Sequence, residues 1–181
     1  MKYKINEIFN SIQGEGFYAG SPATFIRFAG CNLSCPFCDT NHNVKYEMTF
    51  VELMKTVKRM NRKIIILTGG EPSLQLDREI IKGLHALSRR IHIETNGTMP
   101  LPIGLDWITL SPKTDDFIDY GNELKVIWLN EENMERYKNS SIKHRFIQPI
   151  DGENVKEIIN YIERNQEWRL SIQMHKVLGI S

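Results

Sequence analysis

The 181-residue chain is 41% hydrophobic and 25% charged, with 23 lysines and arginines against 22 aspartates and glutamates for a formal net charge of +1. That balance suits one domain, residues 1–181, with a core that needs no disulfide staples. It gives no basic excess for nucleic acid, no apolar run near the ~20 residues of a membrane span and no apolar leader after Met1, so a cytoplasmic protein is expected.

Residues 23–28 are rich in β-branched and aromatic side chains and stop at Gly30, as a strand entering a loop does. Thr49 and Glu52 have capping-box spacing, and Phe50, Leu53, Met54 and Val57 follow at helical intervals. Residues 63–67 form an apolar run ending at Thr68-Gly69-Gly70, the pattern of a strand covered on both faces. A helix is predicted over 76–90, with Ile80, Ile81, Leu84 and Leu87 inward, followed by short strands at 91–94 and 107–110. Strands at 123–128 and 144–148 flank a helix opened by Glu131-Glu132. Val155, Ile158, Ile159 and Ile162 repeat the helical interval, and 169–173 reads as a last strand. Alternating strands and helices predict parallel α/β units, and the chain is too short for a closed eight-unit barrel of roughly 250 residues. An open or partial barrel is therefore expected.

The motifs cluster at one place in each unit. Cys31-Cys35-Cys38, residues 68–72, residues 94–97, Ser111-Pro112-Lys113 and Gln148-Pro149 all follow a predicted strand. In parallel α/β folds ligands bind at those strand ends, so the five motifs describe a single pocket. The three cysteines are the only ones in the chain and fall within eight residues, which argues against a disulfide framework. Their C-x3-C-x2-C spacing leaves three readings open. They can ligate three irons of a cubane cluster with one iron left exchangeable, join His42 around a structural zinc, or stand unligated.

With the Gly69-Gly70-Glu71-Pro72 loop after the next strand, the three-cysteine loop resembles the radical S-adenosylmethionine superfamily. That resemblance implies a partial TIM-type barrel and a [4Fe-4S] cluster whose open iron chelates S-adenosylmethionine, reductive cleavage of which yields a 5′-deoxyadenosyl radical. Residues 11–16, 27–33, 38–40, 68–72, 94–98, 111–113, 123–127 and 169–180 narrow the likeness to the 7-carboxy-7-deazaguanine synthase family over nearly the whole chain. The implied reaction is a ring contraction of 6-carboxy-5,6,7,8-tetrahydropterin to 7-carboxy-7-deazaguanine with loss of ammonia, on the route to queuosine and other 7-deazapurines.

By that resemblance Cys31, Cys35 and Cys38 hold the cluster and Thr40 a Mg2+ ion. Phe37, Cys38, Asp39, Gly70, Glu71, Glu94, Ser111, Pro112, Lys113 and Gln148 would meet S-adenosylmethionine. Ile12, Gln13, Gly14, Arg27, Thr68 and Ser181 would meet substrate. Several have a plainer alternative: Phe37 packs the loop, the Thr40 hydroxyl closes a turn, Glu15 pairs with Arg27, and Glu71 or Glu94 forms a loop salt bridge. His92 and His175 receive no role. The expected partners are a small pterin substrate, an electron donor such as flavodoxin or ferredoxin, and a second copy in a homodimer. Nucleic acid and membrane are not expected partners. The competing readings are a glycyl-radical enzyme activase, which shares the cysteine loop, and a zinc-stabilised binding module.

Overall fold

A computed structural model describes residues 2–150 and 152–180. Its strands are β1 (Lys2–Ile12), β2 (Pro22–Phe28), β3 (Tyr46–Thr49), β4 (Ile64–Gly69), β5 (Arg90–Thr95), β6 (Trp107–Leu110), β7 (Glu123–Ile127), β8 (His144–Gln148) and β9 (Trp168–Leu170). The helices are α1 (Phe50–Met60), α2 (Arg78–Ala86), α3 (Glu131–Glu135), α4 (Val155–Arg164) and α5 (Met174–Leu178), with one 3-10 turn at Pro72–Leu74.

The strands form one nine-stranded sheet in the order β3-β1-β2-β4-β5-β6-β7-β8-β9. From β2 onward each neighbouring pair is parallel, while β1 runs antiparallel to both β2 and β3. β3 and β9 lie at opposite ends of that order, so the curved sheet stays open, a partial TIM-type barrel. Two apolar clusters back it. Leu53, Val57, Ile80, Ile81 and Leu84 of α1 and α2 pack on Ile26, Ile65, Leu67, Ile91 and Ile93. On the other half Met134, Ile158 and Tyr161 pack on Leu124, Val126, Ile147 and Trp168. Burial of this apolar area is the main force holding helices to sheet.

Local signals act where predicted. The Thr49 hydroxyl accepts from the Glu52 amide at 3.3 Å, and the Glu52 carboxylate accepts from the Thr49 amide at 2.7 Å, a complete capping box. α2 is shorter than 76–90 because Leu87 caps it and Ser88 turns left-handed at φ 56°, releasing the chain into β5. On α4 the inward residues are Ile158 and Tyr161, with Ile162 half-buried, and Ile159 is exposed because it lies one residue, about 100° of helical turn, away from Ile158. β1, β3 and α5 were not anticipated. In β1 a register shift between Ile5 and Glu7 breaks the alternation that marks a strand.

The connection between β1 and β2, residues 13–21, folds into the barrel interior. Phe17 stacks on Trp107 with ring centroids 5.0 Å apart, and Tyr18 lies 4.5 Å from the His92 ring, near the strands' N-terminal ends. Gly16 stands at φ 64°, and a Cβ there would lie 1.9 Å from Glu123 Oε1, so only glycine lets this turn pass. The turn closes the base of the barrel. The opposite, C-terminal ends of the strands are left for the site.

Candidate active site

At those strand ends lies a cavity of about 280 Å3. Cys31, Cys35, Phe37, Cys38, Asp39 and Thr40 line it from the loop after β2, and Arg27 and Thr68 from β2 and β4. Gly70, Glu94, Ser111, Lys113 and Gln148 complete the strand-end ring, joined by Ile12 at the end of β1 and by Gln13 and Gly14 of the β1–β2 connection. Two expected residues are not brought in. Glu71 is fully buried and accepts hydrogen bonds from the Ser73 amide (3.0 Å), the Thr95 hydroxyl (2.7 Å) and the Asn96 amide (2.7 Å), so it ties loops together beneath the site. Pro112 is buried outside the cavity lining. Ser181 lies outside the described residues.

The cysteine loop is held at its base. The Gly30 amide donates to the His42 carbonyl at 2.8 Å, and the Glu71 amide donates to the Gly30 carbonyl at 2.9 Å. A Cβ on Gly70 would sit 2.0 Å from that same Gly30 oxygen, so Gly70 permits the β4 loop to lie against the cysteine loop. Asn32 adds a side-chain tie, donating to the Thr98 hydroxyl at 2.7 Å and accepting from Asn96 at 3.0 Å.

All three thiols are free and share the cavity. Burial pushes the Cys35 thiol up, Lys113 pulls against it, and the neighbouring Cys38 and Cys31 add to the rise. Three thiolates together therefore need a compensating cation, which a metal cluster provides. Among the described residues no three histidine, cysteine or acidic side chains converge closely enough for one ion, and His42 Nδ1 sits 3.1 Å from the Thr40 carbonyl. Three thiol donors on one loop fit a polynuclear cluster spanning that loop.

Below the cysteines lies a charged floor. Lys125, buried on β7, pairs with Glu15 and stands 3.5 Å from Glu94 Oε1. Gln13 Nε2 donates to Glu94 Oε1 at 2.8 Å, and the Thr68 hydroxyl donates to Glu94 Oε2 at 3.0 Å. Burial pushes the Glu94 carboxyl up, but Lys125 and the hydrogen bonds from Gln13 and Thr68 outweigh it and hold the carboxyl below its ordinary value. Burial likewise opposes the Lys125 charge, yet Glu15, Glu94 and Glu123 outweigh it and hold the ammonium above its usual range. Lys113, whose ammonium donates to Ser111 Oγ at 2.6 Å, is brought down to about 8 by burial, helped by repulsion from Lys125.

Arg27 does not pair with Glu15. It lies over Phe9 at 5.8 Å, with its Nε 3.9 Å from Glu7, and lines the cavity. Glu94 bonds Gln13 and Thr68, two residues expected on the substrate side. Sequence reasoning missed Lys125, Glu15, Gln173 and His175, which also line the cavity. Lys125 had a signal: Glu123 and Lys125 are two apart on a strand, so both face the barrel interior. The tail had none. Gln173 donates to Glu15 at 3.0 Å, the Met174 amide donates to the Gly14 carbonyl at 2.9 Å, and Lys176 pairs with Asp39 at 2.5 Å.

Comparison with known proteins agrees with this geometry. Residues 25–165 match the Radical SAM superfamily. The chain is 43% identical to the 7-carboxy-7-deazaguanine synthase of Bacteroides thetaiotaomicron, covering 99% of this chain and 100% of that one. It is 39% identical to that of Bradyrhizobium diazoefficiens at 99% and 100% coverage. The crystal structure of QueE from Escherichia coli superposes with a TM-score of 0.81 at 26% identity, over 97% of this chain and 95% of that one. With three cysteines on a strand-end cavity, an open parallel barrel and full-length relatives at this identity, the chain belongs to the 7-carboxy-7-deazaguanine synthase family of the radical S-adenosylmethionine superfamily.

Proposed function

We propose that the protein is a radical S-adenosylmethionine lyase that converts 6-carboxy-5,6,7,8-tetrahydropterin to 7-carboxy-7-deazaguanine with release of ammonia, in 7-deazapurine biosynthesis. The observation that carries the reading is one cavity lined by both the three cysteines and an Arg27–Gln13–Glu94 set suited to a small, polar, carboxylated heterocycle. It favours a small-molecule lyase over a glycyl-radical activase, which needs an open protein-docking face.

When bound, the [4Fe-4S] cluster and S-adenosylmethionine supply the one-electron chemistry that abstracts hydrogen from substrate. The chain supplies ligation, orientation and exclusion of water. Cys31, Cys35 and Cys38 hold the cluster. Phe37, Asp39, Gly70, Ser111, Lys113 and Gln148 receive S-adenosylmethionine on the cysteine side. Arg27 presents its planar fork to the substrate carboxylate, a task suited to guanidinium geometry. Ile12, Gln13, Gly14 and Thr68 meet the ring, and Phe9 and Phe25, stacked at 5.1 Å, wall the cavity with apolar surface. Thr40, whose hydroxyl is 3.4 Å from Asp39 Oδ1, would offer a hard oxygen ligand for Mg2+. The expected redox partner is an electron donor such as flavodoxin or ferredoxin, which would supply the cluster's electron. The open sheet edges at β3 and β9 support association into a homodimer. No helix among the described residues is long and apolar enough to cross a membrane.

The test is an anaerobic assay of cluster-reconstituted protein with S-adenosylmethionine, reductant, Mg2+ and 6-carboxytetrahydropterin, following 5′-deoxyadenosine and the deazaguanine product together. Both products are expected. 5′-Deoxyadenosine with no deazapurine at saturating pterin overturns the substrate assignment.

A further inference from the structure

We propose that Lys125 is a positioning residue of the substrate pocket, acting through Glu15 and Glu94 across the cavity floor. This rests on the pterin reading and adds to it a residue that the reading gave no part.

The argument starts from connectivity. The Glu15 carboxylate pairs with Lys125 through Oε2 and accepts from Gln173 through Oε1. Gln13 turns its Oε1 to the Glu15 amide at 3.2 Å and its Nε2 to Glu94, and Glu94 returns to Lys125. Gln13, Glu94, Lys125 and Glu15 thus form a closed ring that pins the β1–β2 connection to β5 and β7. Both ends of the Gln13 amide are engaged in it, Nε2 on the Glu94 carboxylate and Oε1 on the Glu15 backbone amide, and the side chains of Glu94 and Glu15 both meet one ammonium, so the setting of Gln13 depends on Lys125 through both neighbours. A third carboxylate, Glu123, is pushed up by burial against the pull of Lys125. Without Lys125, three acidic groups would face one another in a water-poor space, and the ring would open or take up protons.

The fold does not need the charge. β7 is held through its backbone by β6 and β8, with Lys125 opposite Phe146, and its core-facing residues are Leu124 and Val126. A buried ion pair is seldom more stabilising than apolar residues of similar volume, so stability does not account for this lysine. Its location does, since Lys125, Glu15 and Glu94 all line the cavity. Lys125 organises the floor against which the ring of the substrate lies.

The test compares Lys125→Met, which keeps length and removes charge, with Lys125→Arg, in cluster-reconstituted protein. Pterin dissociation constants are read by anaerobic calorimetry with S-adenosylmethionine present, alongside KM and kcat. For Lys125→Met a rise of about tenfold or more in pterin Kd and KM is expected, with cluster absorbance and S-adenosylmethionine affinity unchanged and partial rescue by arginine. A folded methionine variant that binds pterin within about twofold of wild type overturns the proposal. Should that variant not fold, Glu15→Gln and Lys125→Arg, singly and combined, form a double-mutant cycle: non-additive losses in pterin affinity are expected, and additive ones overturn it. Wild-type protein that neither binds nor converts the pterin overturns the substrate reading, and this inference with it.

Discussion

The floor and the rim of the cavity are built in different ways. The floor consists largely of strand side chains in fixed register: Glu94 on β5, Lys125 on β7, Thr68 on β4, each paired through buried neighbours. The rim is the cysteine loop, residues 29–45, with no helix or strand of its own and Cys38 exposed. Its ties to the fold gather at its two ends, through Ala29, Gly30 and Asn32 on one side and Asn43 and Lys45 on the other, with one pair from Asp39 to Lys176 of the tail. A floor fixed by the sheet is set before any ligand arrives, whereas a rim held at its base is completed by what it binds.

The largest expected effect falls on the rim without reaching the fold. Cys35→Ala should abolish lyase activity and iron incorporation, yet in iron-free form melt within about 2 °C of iron-free wild type, because the thiol lies outside both apolar clusters. A collapse in melting temperature would make the rim part of the structural core. Gly70→Ala tests the join between loops. Its Cβ would meet the Gly30 backbone oxygen at 2.0 Å, which has no flexible side chain to yield, so about 3 kcal/mol of stability and most cluster binding should be lost. Urea denaturation and iron content measure the two losses.

A smaller effect comes from the base of the barrel. His92 is buried with no partner for Nε2, and desolvation, with repulsion from Arg90, lowers its pKa from 6.5 to about 4. The unfolded chain therefore takes up this proton first. Stability should be complete above about pH 6.5 and fall by about 2 kcal/mol as pH approaches 4. His92→Phe, which keeps a ring beside Tyr18, should flatten that acid limb, and an unchanged limb would place the titration elsewhere. The smallest effect is Thr49→Ala, which removes the capping box of α1 at about 1 kcal/mol by chemical denaturation and leaves both floor and rim intact.

Part of this site could be read from the sequence because its signals are local. The spacing of Cys31, Cys35 and Cys38 places three thiols on one loop whatever the fold. Gly69-Gly70 after the Ile64–Leu67 run marks a strand end, and Thr49 with Glu52 marks a helix start. Alternation of such elements, with too few for closure, leads to an open parallel barrel. β1 was hidden by its register shift, and α5 by its five-residue length.

Composition, spacing and periodicity by themselves determined the α/β class, the shared rim of strand-end motifs and the gathering of three thiols on one loop, since each depends on residues within a turn or a loop of one another; what those thiols hold came from the family resemblance. Only the tertiary structure decided that Glu71 is a buried loop tie, that Glu15 pairs with Lys125 and not Arg27, and that the tail reaches Gly14 and Asp39. Those pairings join residues from 110 to 160 positions apart in the case of Glu15 with Lys125, Gly14 with Met174, and Glu15 with Gln173, separated by 110, 160 and 158 positions. No local pattern encodes such contacts; they follow from burying two apolar clusters at once, which brings the interior faces of distant strands around a single ammonium.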